Sequence, residues 1–521
     1  MKAILNLSRH HYTVRVSILL IMVALIVWMV GCGTTPVRYS LTLAVAPSSS
    51  GNATDLTNAS PYTAGTVVNI KAVAAAGYQF VNWTAPAGTF TNASAAQTTF
   101  TMPAQNVTVT ANFALQIRNW YDLDAIRNNL DGNYILMNNL DSTTAGYAAL
   151  ASNTANGGKG WEPIGNRTGG NFTGTFDGQG YVIKDLSINR PDEDNVGLFG
   201  FVNAGGVIKD IGVVNATVTG CNFTGGLVGQ NFEGTVSNSH STGSVTGSKF
   251  VGGLVGASGG TVSNSYSSGN VTGSGEQEWL FVGGLVGASN GTVSTVSNSY
   301  ATGSVTGTGA GNYTIVGVGG LVGNNNFGTV SNSYATGNVT ASGSGYSSCA
   351  GGLAGLNFNN GTVSNSYATG NVTGIGAGRY VHVGGLVGAS NGTVSNSYST
   401  GSVTGAGNYT FVGGLVGTNF DDGTVSNSYS TGNISGTWDV GGLVGYNFGT
   451  VSNSFWDMET SGQNASAGGT GENTTQMKDI YIFSGAGWDI VVVANSGARN
   501  TSYIWNIVDD VTYAFLSWQP V

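Results

Sequence analysis

The chain has 521 residues, of which 85 are Gly and 8 are Pro, and charged side chains make up only 8% of it. This much glycine disfavours helices, because each Gly inside a helix costs about 1 kcal/mol relative to Ala, and the absence of a three-residue glycine period excludes collagen. Hydrophobic residues reach 40%, so a core can form, and the net charge of −9 argues against nucleic acid as a partner.

Residues 1–31 predict an export signal. Basic residues precede an apolar run at residues 17–30, which is shorter than the about 20 residues that a membrane-spanning helix needs. The run ends in Met-Val-Gly-Cys, which resembles the lipobox of bacterial lipoproteins and implies cleavage before Cys32 and a lipid on its sulfur. The alternatives are an ordinary signal peptide and an uncleaved membrane anchor, and both also place the rest of the chain outside the cytoplasm.

Residues 32–38 are interpreted as a lipid-anchored linker, and residues 39–114 as a separate β module. Residues 39–46 alternate in polarity, and a second strand-like run at residues 107–113 closes the segment. The segment resembles the bacterial repeat modules related to internalin B-repeats, which implies a small β-rich spacer between the membrane and the remainder of the chain.

Residues 115–190 predict an N-terminal cap and opening coils for the array that follows. Apolar residues at 120, 123, 126 and 130 have the spacing of a short amphipathic helix, with acidic residues near its start. Such a helix could shield the open edge of a sheet, which would otherwise invite aggregation.

Residues 191–455 contain nine copies of a repeat marked by G-L-[VFA]-G. Inside a copy, T-V-S-N-S-[YH] is followed by T-G-[SN]-V-T-G or a near variant, and nine residues separate the two Val positions in every full copy. The short Val- and Thr-rich runs, punctuated by Gly and Asn, predict strands joined by tight corners. A period of about 27 to 36 residues suits one coil of a parallel β-helix, whereas a propeller blade needs about 40.

Stacked coils would place equivalent residues above one another. The sequence therefore predicts three interior ladders: the Leu ladder through Leu321, and two Val ladders through Val330 and Val339. Gly is expected at corners with positive φ, and the Asn that follows T-V-S is expected to be left-handed and to form an amide ladder. Cys221 and Cys349 fall four coils apart, too far for a disulfide, so both thiols are predicted to be free.

The string G-G-L-V-G-x-N-F-x-G-T-V-S-N-S-[YH] resembles the GLUG motif repeats of bacterial and archaeal surface proteins. The resemblance implies an all-β fold, a right-handed parallel β-helix of about nine GLUG coils, in an exported adhesin-like protein. Residues 456–521 resemble the usual closing segment of such arrays, and their four tryptophans are expected to plug the last coil as a C-terminal cap.

Candidate catalytic residues are few. G-x-S-x-G recurs at Ser258, Ser289 and Ser390, and three equivalent nucleophiles make no sense for one active site, so these serines are interpreted as corner residues. The array has no repeated carboxylate pair and no zinc motif, so neither a catalytic residue nor a cofactor or metal is predicted. The acidic loop at residues 192–195 is the best candidate for Ca²⁺, and a charged surface loop is the preferred interpretation.

The variable segment before each G-G-L carries aromatic residues at coil spacing, which could stack on sugar rings or contact a protein. Phe250, Phe281 and Phe411 are expected to lie in the interior. The candidate ligand-stacking residues are Trp279, Tyr313, Tyr346, Tyr380, Tyr409 and Trp438.

The sequence thus predicts a non-catalytic, adhesin-like surface protein, anchored in the membrane by a lipid at Cys32, with a carbohydrate or surface protein as its ligand. The alternative is a polysaccharide-degrading β-helix enzyme. Such an enzyme should carry at least two carboxylates within about 10 Å of each other in a groove.

Overall fold

The computed structural model of the chain describes residues 36–276, 278–312 and 314–521. They form two compact units, one ending at Ala114 and the other running from Leu115 to Val521. The predicted lipidation site, Cys32, lies outside the described residues. Among the described residues, no helix is both long enough and apolar enough to cross a membrane.

The first unit is the small β module that the sequence predicts. Its strands form an antiparallel four-stranded sheet, a short antiparallel pair, and a parallel pairing of residues 41–46 with residues 107–112. Trp83, Phe100 and Phe113 are buried in its core. The strands are Arg38–Tyr39, Leu41–Ala46, Gly51–Asp55, Tyr62–Thr63, Val67–Ala74, Tyr78–Thr84, Thr89–Phe90, Gln97–Thr101 and Val107–Ile117.

The second unit opens with the predicted cap. The helix Trp120–Asp124 continues into a 3-10 turn at Ala125–Asn128. The Asn119 side chain accepts a hydrogen bond from the backbone N–H of Asp122 at 2.9 Å and so caps the helix. The buried face of the helix joins the core of the solenoid through Trp120, Leu123 and Ile126. Single helical turns follow at Tyr147–Leu150 and Ala155–Gly158.

The repeats form a parallel β-solenoid, as predicted, and their strands lie in three parallel sheets. In the first, which we call the T-V-S sheet, residues 115–117 pair with Asn133–Leu136, and one strand from each later coil follows. The later strands of this sheet are Thr175–Asp177, Val207–Lys209, Thr235–Ser237, Thr261–Ser263, Thr295–Ser297, Thr329–Ser331, Thr362–Ser364, Thr393–Ser395, Thr424–Ser426 and Thr450–Ser452.

The second sheet, the G-L-V-G sheet, has nine strands, one for each predicted copy. They are Phe199–Val202, Val228–Asn231, Val255–Ser258, Val286–Asn290, Val322–Asn326, Ala354–Phe358, Val387–Ser390, Val416–Asn419 and Val444–Asn447.

The third sheet collects the remaining strands of the coils. Its opening and Tyr-containing strands are Val182–Lys184, Ser187–Asn189, Gly212–Thr219, Thr224–Gly225, His240–Gly247, Tyr266–Ser267, Tyr300–Ala301, Tyr334–Ala335, Tyr367–Ala368, Tyr398–Ser399, Tyr429–Ser430, Phe455–Asp457 and Thr470–Glu472. The strands before the Gly-Gly corners, with those that lead into them, are Phe250–Gly252, Asn270–Gly275, Trp279–Gly283, Val305–Gly309, Ile315–Gly319, Val339–Gly343, Ser347–Gly351, Val372–Gly384, Val403–Gly413, Ile434–Ser435 and Asp439–Gly441.

The three predicted ladders form the interior. Leu321, Val330 and Val339 are at most 1% exposed, and their ladder neighbours join them in one core cluster that runs through the coils. Burying each such aliphatic side chain contributes about 1.5 to 3 kcal/mol. Each coil therefore depends on its neighbours for a complete core.

The Gly-Gly corners are required for a different reason from the one predicted. Gly319 and Gly320 lie outside the left-handed region, so positive φ is not what selects them. A Cβ on Gly320 would overlap the carbonyl oxygen of Gly352 in the next coil, and one on Gly319 would overlap the carbonyl oxygen of Val322. The corner thus needs Gly because its backbone is in close contact both with the next coil and with the strand that follows in its own coil.

The corner after T-V-S is held by serines. Asn332 has φ 47°, in the left-handed region as predicted for this position. Ser333 follows it, donates to the carbonyl of Ser331 at 2.7 Å and accepts from the backbone N–H of Ser299 at 3.2 Å. The same pair of bonds recurs along the coils, so a Ser ladder forms here. The amide ladder expected from Asn332 and its equivalents is not what bonds the coils, and the Asn365 oxygen has no partner.

The C-terminal segment packs along the side of the last coils. The Tyr side chains of T-V-S-N-S-Y stack one above another, with 5.0 Å between the ring centroids of Tyr398 and Tyr429. Trp518 lies against this stack, 5.9 Å from Tyr367, and Gln519 accepts from the hydroxyl of Tyr398 at 2.7 Å. Helical turns at Met458–Ser461, Gln476–Lys478 and Ile480–Gly485 and strands at Ile490–Val492, Trp505–Ile507 and Phe515–Leu516 build this segment.

The expectation that four tryptophans plug the last coil is therefore mostly wrong. Trp456 belongs to the solenoid core cluster, whereas Trp488 and Trp505 belong to a separate cluster with the stacked tyrosines, and Trp518 packs against that cluster. By packing here, the C-terminal segment removes apolar surface of the stacked Tyr rings from water.

Candidate functional site: an aromatic groove

The strands that precede the Gly-Gly corners send alternate side chains inward and outward. In Trp279–Gly283, Leu280 and Val282 are fully buried in the solenoid core. Phe281 lies instead in a separate cluster on the other face of the strand, and Trp279 is 41% exposed. Each coil therefore presents a short outward pair of side chains just before its corner.

The strands that follow the corners supply the opposite wall. The pairing of Val286–Asn290 with the next coil passes from Val286 to Ala288 and gives Gly287 no partner. Its counterpart Gly323 is skipped as well, so no residue is inserted, and Ala288 lies in the outer cluster with Phe281 whereas Val286 faces the core. The residues in register with Ala288 along the solenoid are Phe201, Gln230, Ala257, Asn324, Leu356, Ala389, Thr418 and Tyr446.

The two walls meet across a groove on the outside of the solenoid. His382 Nδ1 and Thr418 Oγ1 are 2.7 Å apart and join the walls. The ring centroids of Phe411 and Tyr446, one from each wall, are 5.0 Å apart. Between the walls lies a cavity of about 570 Å³, lined from Ile315 to Phe448 mostly by aromatic and aliphatic side chains.

Four of the six predicted ligand-stacking residues line this cavity together: Tyr346, Tyr380, Tyr409 and Trp438. Their rings are one coil apart, with centroids separated by 5.6, 5.9 and 5.4 Å in that order. Trp279 lines a second, smaller cavity of the same groove. Tyr313 lies outside the described residues.

Three aromatic residues expected in the interior lie in the groove instead. Phe281 and Phe250 belong to the outer cluster and line the smaller cavity, and Phe411 lines the larger one. The strand alternation explains the error, because the Val that follows each Phe (Val251, Val282 or Val412) takes the inward position. The start of these strands, which fixes that alternation, follows a loop of variable length.

Sequence reasoning missed the floor of the groove. Phe358, Phe420 and Phe448 line the larger cavity from the G-L-V-G side. Each is the Phe of the Asn-Phe pair in G-L-V-G-x-N-F, so the signal was present in the repeat itself. It did not stand out, because a Phe next to a buried strand is expected to be part of the core.

The deepest part of the groove is uncharged at neutral pH. Burial lowers the pKa of His382 to about 4 and raises the pKa of the Cys349 thiol to about 12. Cys349 and Cys221 are both free thiols, as predicted. The charged groups lie at the rim: Asp439 lines the cavity, and the Arg379 guanidinium is 4.9 Å from the centroid of Tyr380. The arrangement suits an apolar or neutral ligand.

The three G-x-S-x-G serines are inside the wall rather than in the groove. Ser258, Ser289 and Ser390 are at most 1% exposed. The Ser258 hydroxyl donates to the carbonyl of Gly260 at 3.2 Å and accepts from the Asn231 amide at 3.1 Å. These hydroxyls are structural hydrogen-bonding groups of a buried corner.

The acidic loop at residues 192–195 is tied into ion pairs. Glu193 contacts Lys159 at 2.8 Å and Arg190 at 2.7 Å, and these cations lower the pKa of its carboxyl despite partial burial, which acts to raise it. Among the described residues, no group of three His, Cys, Asp or Glu side chains is placed to hold a metal ion.

Two family models match the chain. The model of the divergent InlB B-repeat domain matches residues 41–117. The model of the GLUG motif matches five segments: residues 224–246, 316–340, 346–373, 380–404 and 409–435.

Two curated proteins share similar segments. Halomucin of Haloquadratum walsbyi is 43% identical over 103 residues, which are 20% of this chain and 1% of that protein. A protein of Evansella cellulosilytica, named as a Gly-rich membrane protein, is 39% identical over 85 residues, 16% of this chain and 10% of that protein. The chain therefore spans only a small part of the length of the relatives it matches.

Two solved structures have a distant likeness. One is named as an immunoglobulin A1 protease of Bacteroides ovatus, with 16% identity, a TM-score of 0.31, and coverage of 78% of this chain and 93% of that one. The other is named IgA1 protease, with 16% identity, a TM-score of 0.29 and coverage of 78% and 25%. Similarity at this level supports no conclusion about function. On these matches and the fold, the chain carries five matched GLUG motifs within a parallel β-solenoid and a divergent InlB B-repeat domain near its N-terminus.

Proposed function

We propose that this chain is an exported surface repeat protein, lipid-anchored at Cys32, whose solenoid is a non-catalytic, adhesin-like binding scaffold. The aromatic groove is the observation that carries the proposal. Ligand sites are usually concave, about 300 to 1,000 Å³ in volume, and lined by apolar and aromatic groups with a few polar ones. The names halomucin and Gly-rich membrane protein, borne by its relatives, support a place at the cell surface.

The alternative, a polysaccharide-degrading enzyme on the same fold, has less support. Glycoside hydrolysis uses two carboxylates that flank the bond to be cleaved. Among the described residues that line the larger cavity, Asp439 is the one carboxylate, and none lines the smaller cavity. Glu276 and Glu278 are exposed and line a separate cavity of about 470 Å³, together with Gly311, Asn312 and Thr314. The burial of the three G-x-S-x-G serines also supports a scaffold.

A whole-cell adhesion assay tests the binding function. Cells that display the full chain are compared with cells that display the Tyr409→Ala/Trp438→Ala variant, on surfaces coated with glycans, matrix proteins or other cells. We expect adhesion to the recognised surface to fall at least tenfold in the variant. The matched control is Ile375→Ala, an exposed apolar side chain elsewhere on the third sheet. Equal adhesion of cells that display the parent and cells that display the Tyr409→Ala/Trp438→Ala variant would contradict the proposal.

The anchor is tested separately. Cells that express the parent or the Cys32→Ser variant are fed a fatty acid that carries an alkyne label. We expect label on the parent and none on the variant, with the variant released from the membrane fraction. Unlabelled parent protein would count against lipidation.

A further inference from the structure

The groove contains a second cavity, of about 330 Å³, whose chemistry differs from that of the larger one. Three rings face a row of side-chain amides across it. We call this part the amide section, and we propose that it binds a neutral sugar residue of a glycan; the inference rests on the proposed function of the groove as a binding site. Its rings are those of Phe250, Trp279 and Phe281, and its amides are those of Asn290, Asn324, Asn326 and Asn359.

Trp279 offers the stacking surface. It is 41% exposed, whereas Phe281 beside it is 7% exposed and packs on Phe250 with a centroid distance of 5.7 Å. The Trp279 ring therefore offers a flat apolar plate that lines the cavity and is partly open to solvent. A sugar ring has one face of C–H groups and a periphery of hydroxyls, so it can cover such a plate while its hydroxyls reach polar neighbours.

The amides supply those polar neighbours. An amide both donates and accepts hydrogen bonds, as the hydroxyls of a sugar do. Asn359 Nδ2 donates to Asn326 Oδ1 at 2.7 Å, which fixes the orientation of this pair. Asn324 is 8% exposed and its Oδ1 has no hydrogen-bond partner. An unpaired buried acceptor costs about 1 to 3 kcal/mol. Because the Asn324 side chain lines the cavity, a turn of its amide presents this oxygen to a hydroxyl donor there.

The lining also indicates that the ligand is uncharged. The remaining lining residues are Ile315, Leu356 and Phe358, so no lining residue is ionisable. A charged group placed here would lose its water without finding a counter-ion among the lining residues. Lys249 lies 5.4 Å from the ring centroids of Phe250 and Trp279 but does not line the cavity.

The larger cavity is a poorer site for a sugar. Its floor is formed by Phe358, Phe420 and Phe448, which have no polar side-chain atoms. Tyrosine hydroxyls and Asp439 also line the cavity, but it has no side-chain amide, and His382 and Thr418 are already paired with each other. Sugar hydroxyls in contact with that floor would be desolvated without partners. The difference between the two cavities assigns the sugar to the amide section.

The test measures affinity for defined glycans by calorimetry with the full chain. The probes are hexasaccharides of β-1,4-glucose, β-1,4-N-acetylglucosamine and mannose, with oligogalacturonate as the anionic comparison. The variant is Asn324→Ala. The residues in register with Asn324 are Ala288 and Leu356, so neighbouring coils already carry an apolar residue at this position and the variant should fold with a melting temperature no lower than that of the parent.

We expect at least one neutral hexasaccharide to bind, Asn324→Ala to weaken that binding at least tenfold, and Trp279→Ala to weaken it at least as much. The control Ile375→Ala, on an exposed side chain that lines neither cavity, should leave it unchanged. Binding should not vary between pH 5 and pH 8. Equal affinity of Asn324→Ala and the parent would overturn the assignment, as would salt-sensitive binding of oligogalacturonate that requires Lys249.

The two proposals can fail separately. If no neutral hexasaccharide binds while Tyr409→Ala/Trp438→Ala still abolishes cell adhesion, the sugar assignment is overturned and the binding scaffold stands. If glycans bind but neither Tyr409→Ala/Trp438→Ala nor Trp279→Ala reduces cell adhesion, the sugar assignment stands and the adhesin-like role is overturned.

Discussion

The inside and the outside of the same coils are built on opposite rules. The interior position of Leu321 holds Leu in all nine copies, and each of these side chains is fully buried. The groove position of Phe281 holds Phe, Gly, Cys, His and Phe in successive coils, down to Phe411. Identical residues stack without gaps and hold the solenoid together, whereas unequal residues leave cavities. In each coil, the inward-facing side chains therefore provide stability and the outward-facing side chains of the groove provide the surface for recognition.

The strongest challenge to this separation is a charge in the interior. We expect Leu321→Asp to cost more than about 4 kcal/mol, because a buried carboxylate there has no partner and the ladder is broken in its middle. Ile375→Asp, on a side chain that is 50% exposed, should cost less than about 1 kcal/mol. Thermal unfolding of both variants measures the difference. Equal melting temperatures would show that Leu321 is not a core residue.

The buried imidazole of the groove gives a pH-dependent test. Burial lowers the pKa of His382 to about 4, against about 6.5 in an unfolded chain. The folded state favours the neutral ring. The free energy of unfolding is therefore unaffected by His382 above about pH 6.5, and it falls by about 3 kcal/mol as the pH drops from 6.5 to 4.

The comparison variant for that test is His382→Phe, since Phe411 occupies the same ladder position one coil further on. Denaturant melts of both proteins at pH 7 and pH 4 give the difference in free energy of unfolding. We expect the variant to lose less stability than the parent over this range. Parallel losses would mean that His382 is not the titrating group.

The Ser ladder offers a smaller test on the interior side. Ser333→Ala removes the acceptor of the Ser299 N–H and leaves that donor buried, at a cost of about 2 kcal/mol. The control is Ser402→Ala. Ser402 is exposed on the same solenoid, so this change should alter the free energy of unfolding by less than about 0.5 kcal/mol. Equal melting temperatures for Ser333→Ala and Ser402→Ala would show that the Ser ladder does not stabilise the solenoid.

The smallest expected effect on stability lies in the groove. Tyr409 is 47% exposed, so Tyr409→Ala should cost less than about 1 kcal/mol while it weakens binding of the ligand of the larger cavity. Unfolding and adhesion measured on the same preparation separate the two effects. A large loss of stability would mean that the groove face also supports the fold.

The repeat made most of the fold predictable. Identical residues at a fixed interval of nine predict ladders, and Leu321, Val330 and Val339 lie in them as expected. The helix at Trp120–Asp124 followed from local apolar spacing. Prediction failed where strand alternation decides a direction: Phe250, Phe281 and Phe411 were expected in the interior but line the groove.

The groove and the C-terminal segment were harder to predict because they depend on contacts that are distant in sequence. Gln519 reaches Tyr398 across 121 residues, and no local pattern predicts such a contact. The rings of the groove rim could be named from the sequence because they recur once per coil. The floor of the groove could not be named from the sequence. The side chains of Phe358 and Phe420 line it because of the angle at which the chain turns at the corner, and the sequence does not reveal that angle.

The Ser ladder has a consequence for how such a chain can change its length. Every junction between neighbouring coils uses the same hydrogen bond between the same two positions, from Ser239 to Ser454. Deleting or duplicating one entire coil would join a Ser to the next Ser by that same bond. Recombination between near-identical stretches of the gene can therefore lengthen or shorten the protein without a new junction, and each event redraws the sequence of unequal side chains on the outer wall.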